Sequence, residues 1–157
     1  MRTIIENSLK LLFPTIKNLE FHATGSQVYG YPNEDSDYDI IVSETRRQEI
    51  LDILKQQNID IEHSKLYKCI KFKFLNVVIN LIFLDDRNKA AWIYTTNAMI
   101  GFKEFGERVT GYPPGCLTDK LLRCKLFNSL VKQFGGDPTT EVYKPTSLSF
   151  DPNEPPF

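Results

Sequence analysis

The segment Asp37–Val42 constrains the fold more than any other stretch, because two acidic residues alternate there with apolar ones. In an extended strand, the side chains of residues i and i+2 point to the same face. Asp37 and Asp39 are therefore expected to emerge together, with the intervening apolar side chains on the opposite face. Two carboxylates this close repel each other unless a cation lies between them. The pattern predicts a half-buried strand that presents a site for a hard divalent cation, such as Mg2+ or Mn2+.

A glycine-serine pair precedes this strand, directly after a short predicted strand over Leu19–Thr24. Gly25 permits a close backbone approach. Ser26 offers a hydroxyl and an N–H at the predicted start of a helical turn, where phosphate oxygens bind well. Together with Asp37 and Asp39, the pair predicts a nucleotide site. The alternative is that residues 33–37 form a solvated acidic turn before an ordinary strand.

In this order and spacing, Gly25-Ser26 followed by Ser36-Asp37-Tyr38-Asp39-Ile40 resembles the polymerase-beta-type nucleotidyltransferase superfamily, most of all its small bacterial and phage members. The resemblance covers residues 21–84. It implies an α+β fold with a mixed β-sheet flanked by helices. It also implies Mg2+-dependent transfer of a nucleotidyl group from a nucleoside triphosphate to a hydroxyl on a protein, RNA or small molecule. Gly25 and Ser26 would hold the phosphates, and Asp37 and Asp39 would hold the metal.

The chain departs from this family at a third acidic position, which lies on a later strand in the relatives. The matching apolar run, Val77–Leu84, carries Asn80 there. An amide oxygen can bind a metal but cannot act as a base, and loss of a general base costs roughly 10²–10⁴-fold in rate. Asp85 and Asp86 follow the strand and could substitute, or could cap the next helix. Asn80 itself could instead be a satisfied core amide.

Two functions therefore remain open at this stage. The first is a nucleotidyltransferase with Asp37, Asp39 and Asn80 as its catalytic residues. The second is a weakened or inactive member that acts as a nucleotide-binding or protein-binding regulatory factor, antitoxin-like or from a phage. The intact acidic pair favours the first, whereas Asn80 and the proline-rich C-terminal region favour the second.

Basic residues occur in two places that bear on the site. Lys120 and Arg123 lie on the last predicted helix, where relatives can hold a triphosphate; a solvated helix face is the alternative. Lys68, Lys71 and Lys73 form a strip that could contact nucleic acid. Edge-strand lysines also deter aggregation, and we favour that interpretation of the strip.

Size and composition set wider limits. The chain has 157 residues, and its net charge of −1 argues against strong non-specific nucleic-acid binding. Its three cysteines lack metal-type spacing, which favours reduced thiols in a cytoplasmic setting. No apolar run is long enough to cross a membrane, so no membrane contact is expected.

Hydrophobic periodicity predicts the remaining elements. The predicted helices and strands are helix 3–13, a helix capped by Thr45 and Gln48, strands 59–63, 67–74 and 77–84, helix 87–105 closed by Gly106, and a helix from Thr118 to Gly135. We divide the chain into a nucleotidyltransferase core (1–106), a helical extension packed on it (107–136) and a Pro-rich tail (137–157). The tail could bind a protein partner.

Overall fold

The computed structural model describes residues 2–64 and 69–137. Its helices are α1 (Arg2–Leu12), α2 (Ser26–Tyr29), α3 (Arg47–Gln56), α4 (Asp86–Thr110), α5 (Gly115–Thr118) and α6 (Lys120–Gln133), with a 3-10 helix (Glu44–Arg46) before α3. Its strands are β1 (His22–Thr24), β2 (Tyr38–Ser43), β3 (Glu62–His63), β4 (Cys69–Phe74) and β5 (Val77–Leu84).

Within the described residues, the strands form one five-stranded sheet in the order β1-β2-β5-β4-β3. The central pair, β2 and β5, is parallel, and the other neighbours are antiparallel. Because β5 is covered on both faces, it reads as an almost continuous apolar run. The mixed sheet with flanking helices confirms the predicted α+β class.

The two faces of the sheet are buried against different helices, as the alternation along β2 predicts. Ile40 is fully buried on one face in a cluster that includes Ile5 of α1 and Ile50 of α3. Ile41 is fully buried on the other face, with Trp92 of α4 and residues of α6. Burial of one such side chain stabilises a fold by roughly 1.5–3 kcal/mol. The site described below lies on the second face, because Asp39 and Ile41 are two residues apart in β2 and therefore point to the same side.

A tight turn at Leu75-Asn76 sets the register of β4 against β5. Both residues have positive φ, 52° and 64°, as a two-residue hairpin turn of the I′ kind requires. Counting outward from the turn places Lys71 opposite Asn80. The pairing of Lys71 with Asn80 is the most important consequence of this turn for the site.

The start of α3 differs from the prediction. The hydroxyl of Ser43, rather than Thr45, is the capping acceptor, and it receives the backbone N–H of Thr45 over 3.4 Å. Gln48 donates to the carboxylate of Asp52 instead of reaching back to a cap. The predicted capping box is therefore wrong: Ser43, at the end of β2, caps the 3-10 helix, and α3 begins after Arg46 without a side-chain cap.

The end of α4 also differs. The helix continues past Gly106 to Thr110 and ends at Gly111, whose φ of 74° is the left-handed conformation of a helix C-cap. A Cβ on Gly106 would lie 2.6 Å from the Cγ of Pro114. Gly106 therefore allows a close chain crossing, and the predicted helix end there is wrong.

Aspartates cap both long C-terminal helices. Asp85 accepts the N–H of Asn88 at the start of α4, which confirms the capping interpretation of Asp85. Asp119, rather than the predicted Thr118, accepts the N–H of Leu122 at the start of α6. Thr118 is instead the last residue of α5.

The C-terminal helices pack on α4 and the sheet. Phe127 of α6 meets the edge of Trp92 at 5.1 Å between ring centroids and stacks on Tyr29 at 5.8 Å. The division into core and extension at residue 106 stays a prediction, and the Pro-rich tail from residue 138 lies outside the described residues. No helix in the described parts of the chain combines the length and apolar character needed to cross a membrane.

Two glycines of one helix should respond oppositely to the same substitution. Gly101 is exposed inside α4, and a Cβ there meets nothing within 4 Å. We expect Gly101→Ala to raise the free energy of unfolding by roughly 0.5–1 kcal/mol. Gly111→Ala should lower it by about 1 kcal/mol, because φ is positive there. Urea denaturation of both variants measures the difference; changes of the same sign would contradict the assigned end of α4.

Candidate active site

A row of polar side chains crosses the sheet on one face. The strand registers pair Thr24 with Asp39, Asp39 with Asn80, Asn80 with Lys71, and Lys71 with Glu62. Residues directly opposite each other on neighbouring strands share a face. The row therefore brings together residues from β1, β2, β5, β4 and β3 that are scattered along the sequence.

Asn80 lies beside Asp39, as expected if it occupies the third position of the family pattern. Its Nδ2 donates to Asp39 Oδ1 over 3.0 Å. Asn80 is only 4% exposed, and its Oδ1 has no hydrogen-bond partner among the described residues. The alternative of a satisfied core amide therefore holds for the donor side of the amide only. The donor side of the amide is used by Asp39, and its buried acceptor oxygen has no partner among the described residues.

Gly25 lies directly against Asp39. Its φ is 78°, and a Cβ on Gly25 would be 2.3 Å from Asp39 Oδ2. A side chain at this position would therefore displace the carboxylate. The close backbone approach that Gly25 permits is an approach to the Asp39 carboxylate. It places the Gly25-Ser26 turn next to the acidic pair.

The environment of Asp39 favours its neutral form. The pKa of Asp39 is raised to about 6, chiefly by burial, and the charge of Asp37 acts in the same direction. The hydrogen bond from Asn80 and the positive charges of Lys71 and Arg123 act in the opposite direction. Without a bound cation, a charged Asp39 is therefore energetically costly.

Lys71 is a site residue that the sequence interpretation missed. Its Nζ lies 2.9 Å from Asp37 Oδ2. The predicted edge-strand role is wrong for Lys71, because β4 is paired there with both β5 and β3. Alternation along β4 together with the turn at 75–76 could have placed Lys71 opposite Asn80. The contact with Asp37, 34 residues away, has no local sequence signal.

The N-terminal half of α6 forms the opposite wall. Lys120 and Arg123 both line the cleft that contains Asp37 and Asp39. Arg123 is oriented by a 2.8 Å hydrogen bond from its Nη1 to the carbonyl of Leu117. The structure thus brings the predicted cations and carboxylates to opposite sides of one cleft.

The loop between α2 and β2 forms the cleft's rim. Asn33 accepts hydrogen bonds from the N–H of Asp35 and from the hydroxyl of Ser36, at 2.9 and 3.2 Å. Tyr31 donates its hydroxyl to Glu107 of α4. The rim is an exposed, hydrogen-bonded turn, as the alternative interpretation expected, but it leads Asp37 into the site instead of into solvent.

The cleft is large enough for a nucleotide. Its volume is about 810 Å³, within the 300–1,000 Å³ typical of small-molecule sites. Its lining includes the Gly25-Ser26 turn, the rim, the polar row and α6. Burial disfavours the thiolate form of the cysteines in the lining, because it raises the pKa of Cys69 to about 12 and that of Cys124 to about 11. The groups in the cleft that suit metal or phosphate ligands are therefore its carboxylates, amide and hydroxyl oxygens and its cationic side chains.

The donor set fits one divalent cation. Asp37 and Asp39 supply carboxylate oxygens, and Asn80 supplies an unpartnered amide oxygen. Hard oxygen donors of this kind suit Mg2+ and Mn2+, which complete their coordination with phosphate and water. Among the described residues, no group of three or more His, Cys, Asp or Glu side chains offers a denser metal site.

Comparison with known proteins identifies the fold. No family model and no curated protein sequence matches the chain. The Cid1 poly(U) polymerase matches with a TM-score of 0.50 and 18% identity, over 66% of this chain and 34% of that chain. Cid1 with the UTP analogue UMPNPP gives 0.51 and 18%, over 79% and 36%. Cid1 with its short product ApU gives 0.50 and 19%, over 66% and 32%.

The chain thus spans about a third of the length of these structures. At this identity the likeness concerns the fold alone. The chain has the nucleotidyltransferase fold, with its mixed sheet flanked by helices, as the motif order predicted.

Asp39 should make the stability of the metal-free protein pH-dependent. Its folded-state pKa of about 6 exceeds the ordinary value of 3.8. The folded state therefore holds more protons between about pH 4 and pH 6, and stability falls as pH rises through that window. This pKa difference corresponds to roughly 3 kcal/mol in the free energy of unfolding. Because the Asp39 side chain is partly exposed, solvent screening reduces the effect to about 1–2 kcal/mol.

We therefore expect Asp39→Asn to be more stable than wild type by about 1–2 kcal/mol at pH 7.5 and equally stable at pH 4. Urea denaturation at both pH values, without divalent ions, measures this. Asp60→Asn, at an exposed loop position, is the control and should show no such change. If Asp39→Asn were destabilised equally at both pH values, the conclusion that burial raises the pKa of Asp39 would be contradicted.

Proposed function

We propose that this chain is a nucleotidyltransferase that binds a nucleoside triphosphate with Mg2+ or Mn2+ and transfers its nucleotidyl group to a hydroxyl acceptor. The observation that carries the proposal is the geometry of one cleft in a nucleotidyltransferase fold. Asp37 and Asp39 lie on the sheet side, and Lys120 and Arg123 lie on the helix side. That arrangement suits a ligand that carries both phosphates and a metal ion.

Each side of the cleft has a distinct role in this proposal. Asp37, Asp39 and the Oδ1 of Asn80 hold the divalent ion, whose positive charge neutralises the phosphates near the acidic pair. Lys120 and Arg123 bind phosphate oxygens through charge-assisted hydrogen bonds. The Gly25-Ser26 turn, held against Asp39, adds the Ser26 hydroxyl as a further phosphate ligand.

Turnover is expected to be slow. Asn80 cannot take a proton from the acceptor hydroxyl. Asp85, the nearest substitute in sequence, is already used as the cap of α4. Without a positioned base, the rate falls by roughly 10²–10⁴-fold.

Among the three acceptor classes, RNA has the most support. Cid1 is described as a poly(U) polymerase with RNA terminal uridylyl transferase activity, and it was solved with a UTP analogue and with ApU. We extend this to the chain as a proposal: UTP is the first nucleotide to test, and an RNA 3′ end is the first acceptor. Membership among the small bacterial or phage relatives, and a cytoplasmic location, remain predictions from the sequence.

A second function is favoured by a specific feature of the site. Asn80 replaces an acidic residue, and Lys71 occupies one oxygen of Asp37. Both changes reduce the negative charge available for metal ions. A regulatory protein that binds nucleotide without transferring it would tolerate them, so binding and transfer must be tested separately.

Nucleotide binding should depend on the acidic pair. With UTP and Mg2+ at about 100 times the dissociation constant, wild type should gain about 2.7 kcal/mol of stability. Asp37→Asn/Asp39→Asn should gain none, because the metal ligands are removed. Thermal shift with each of the four ribonucleotides and deoxyribonucleotides, with and without Mg2+, makes the measurement.

The charge-matched control is Asp52→Asn/Asp60→Asn, which changes two exposed carboxylates away from the cleft. It should bind like wild type. Retained binding by the Asp37→Asn/Asp39→Asn protein would refute the site. Incorporation of labelled nucleotide into an RNA oligomer then separates the two functions: slow incorporation supports the transferase, and binding without incorporation supports the regulatory protein.

A further inference from the structure

Lys71 is built into the sheet next to the acidic pair. It stands between Asn80 and Glu62 in the polar row, and its backbone is paired on both sides, with β5 and with β3. The side chain of Lys71 is 46% exposed and that of Asp37 is 30% exposed. The ion pair therefore forms part of the wall of an open cleft. The strand therefore holds a positive charge permanently at the edge of the candidate metal site.

The neighbouring residue removes a negative charge at the same place. Asn80 is neutral where the family pattern carries a third carboxylate, and it lies between Asp39 and Lys71 in register. Its buried Oδ1 has no hydrogen-bond partner among the described residues. A neutral amide and an ammonium group thus stand on adjacent strands beside the acidic pair.

Counting formal charges shows what this combination does. In a two-metal site for in-line displacement, three carboxylates and two divalent ions leave a total of one positive charge. Here Asp37, Asp39, the Lys71 ammonium and a single divalent ion leave the same total, because the other charged side chains that line the cleft balance one another: Asp35 and Glu62 against Lys120 and Arg123. A second divalent ion would add two further positive charges with no carboxylate to compensate them.

We propose that Lys71 is a resident cation that takes the place of one of the two metal ions, so that this site binds a single divalent ion. The inference rests on the proposed function, because it assumes that Asp37 and Asp39 form a metal site. Asp39, the Oδ1 of Asn80 and the other oxygen of Asp37 are the protein ligands of that one ion. Lys71 is a positioning residue: it fixes Asp37 and supplies charge without leaving the site.

The test counts bound Mn2+ by electron paramagnetic resonance, titrated alone against the metal-free full chain. Wild type should bind one ion. Lys71→Met keeps the aliphatic stem but removes the charge, and it should tighten that binding by about tenfold, since a like charge a few ångströms away is lost. Lys71→Met/Asn80→Asp restores the acidic pattern and should bind two ions.

The matched control is Lys73→Met. Lys73 is also exposed and lies on the same face of β4, but it pairs with Val78 and has no partner on β3. It should change the affinity for Mn2+ by less than about twofold, because the removed charge is farther from the carboxylates. Circular dichroism melting establishes that each variant is folded, and Lys71→Gln replaces Lys71→Met if the latter is not.

The failures are distinguishable. Two Mn2+ ions bound to wild type, or equal effects of Lys71→Met and Lys73→Met, would overturn the inference about Lys71. The proposed function would survive that result if Asp37→Asn/Asp39→Asn still abolished Mn2+ binding. Absence of Mn2+ binding by folded wild type would overturn both.

Discussion

The parallel pairing of β2 with β5 is the constraint on which the rest of the site depends. It places Asp39 opposite Asn80 at the centre of the sheet, where apolar residues before and after them fill both cores. If one of these strands slipped by one residue, each of its side chains would point to the opposite face of the sheet. Polar side chains would then be buried in a core, and core side chains would face the cleft. The register that buries the core therefore also assembles the site.

This arrangement stores electrostatic free energy at one place. Burial penalises the charge of Asp39, the Gly25 turn lies close beside its carboxylate, and Asn80 offers only a neutral amide. A bound cation would relieve the cost. Packing of Phe127 against Trp92 fixes α6 on the same face, which keeps Lys120 and Arg123 across the cleft from the acidic pair. The ion pair between Lys71 and Asp37 compensates part of the acidic charge in the absence of metal.

The sequence was informative where the signal is local. Alternation located the faces of β2, the apolar run located β5, and Gly25-Ser26 with Asp37 and Asp39 located the nucleotidyltransferase pattern. It failed where the determining contact is remote in the chain. Gly106 lies inside α4, where Pro114 approaches it closely, and Lys71 is held in the site by an ion pair with Asp37, 34 residues away. Thr45 and Thr118 were wrong because Ser43 and Asp119 are competing caps one or two residues away.

The most direct test of the central claim is a crystal structure with Mn2+ and UMPNPP, using the anomalous scattering of manganese to locate the metal. The account predicts a single anomalous peak among Asp37, Asp39 and Asn80, with the triphosphate extending between the Gly25-Ser26 turn and the Lys120–Arg123 segment of α6. A nucleotide bound elsewhere, or a manganese peak away from Asp39, would contradict it.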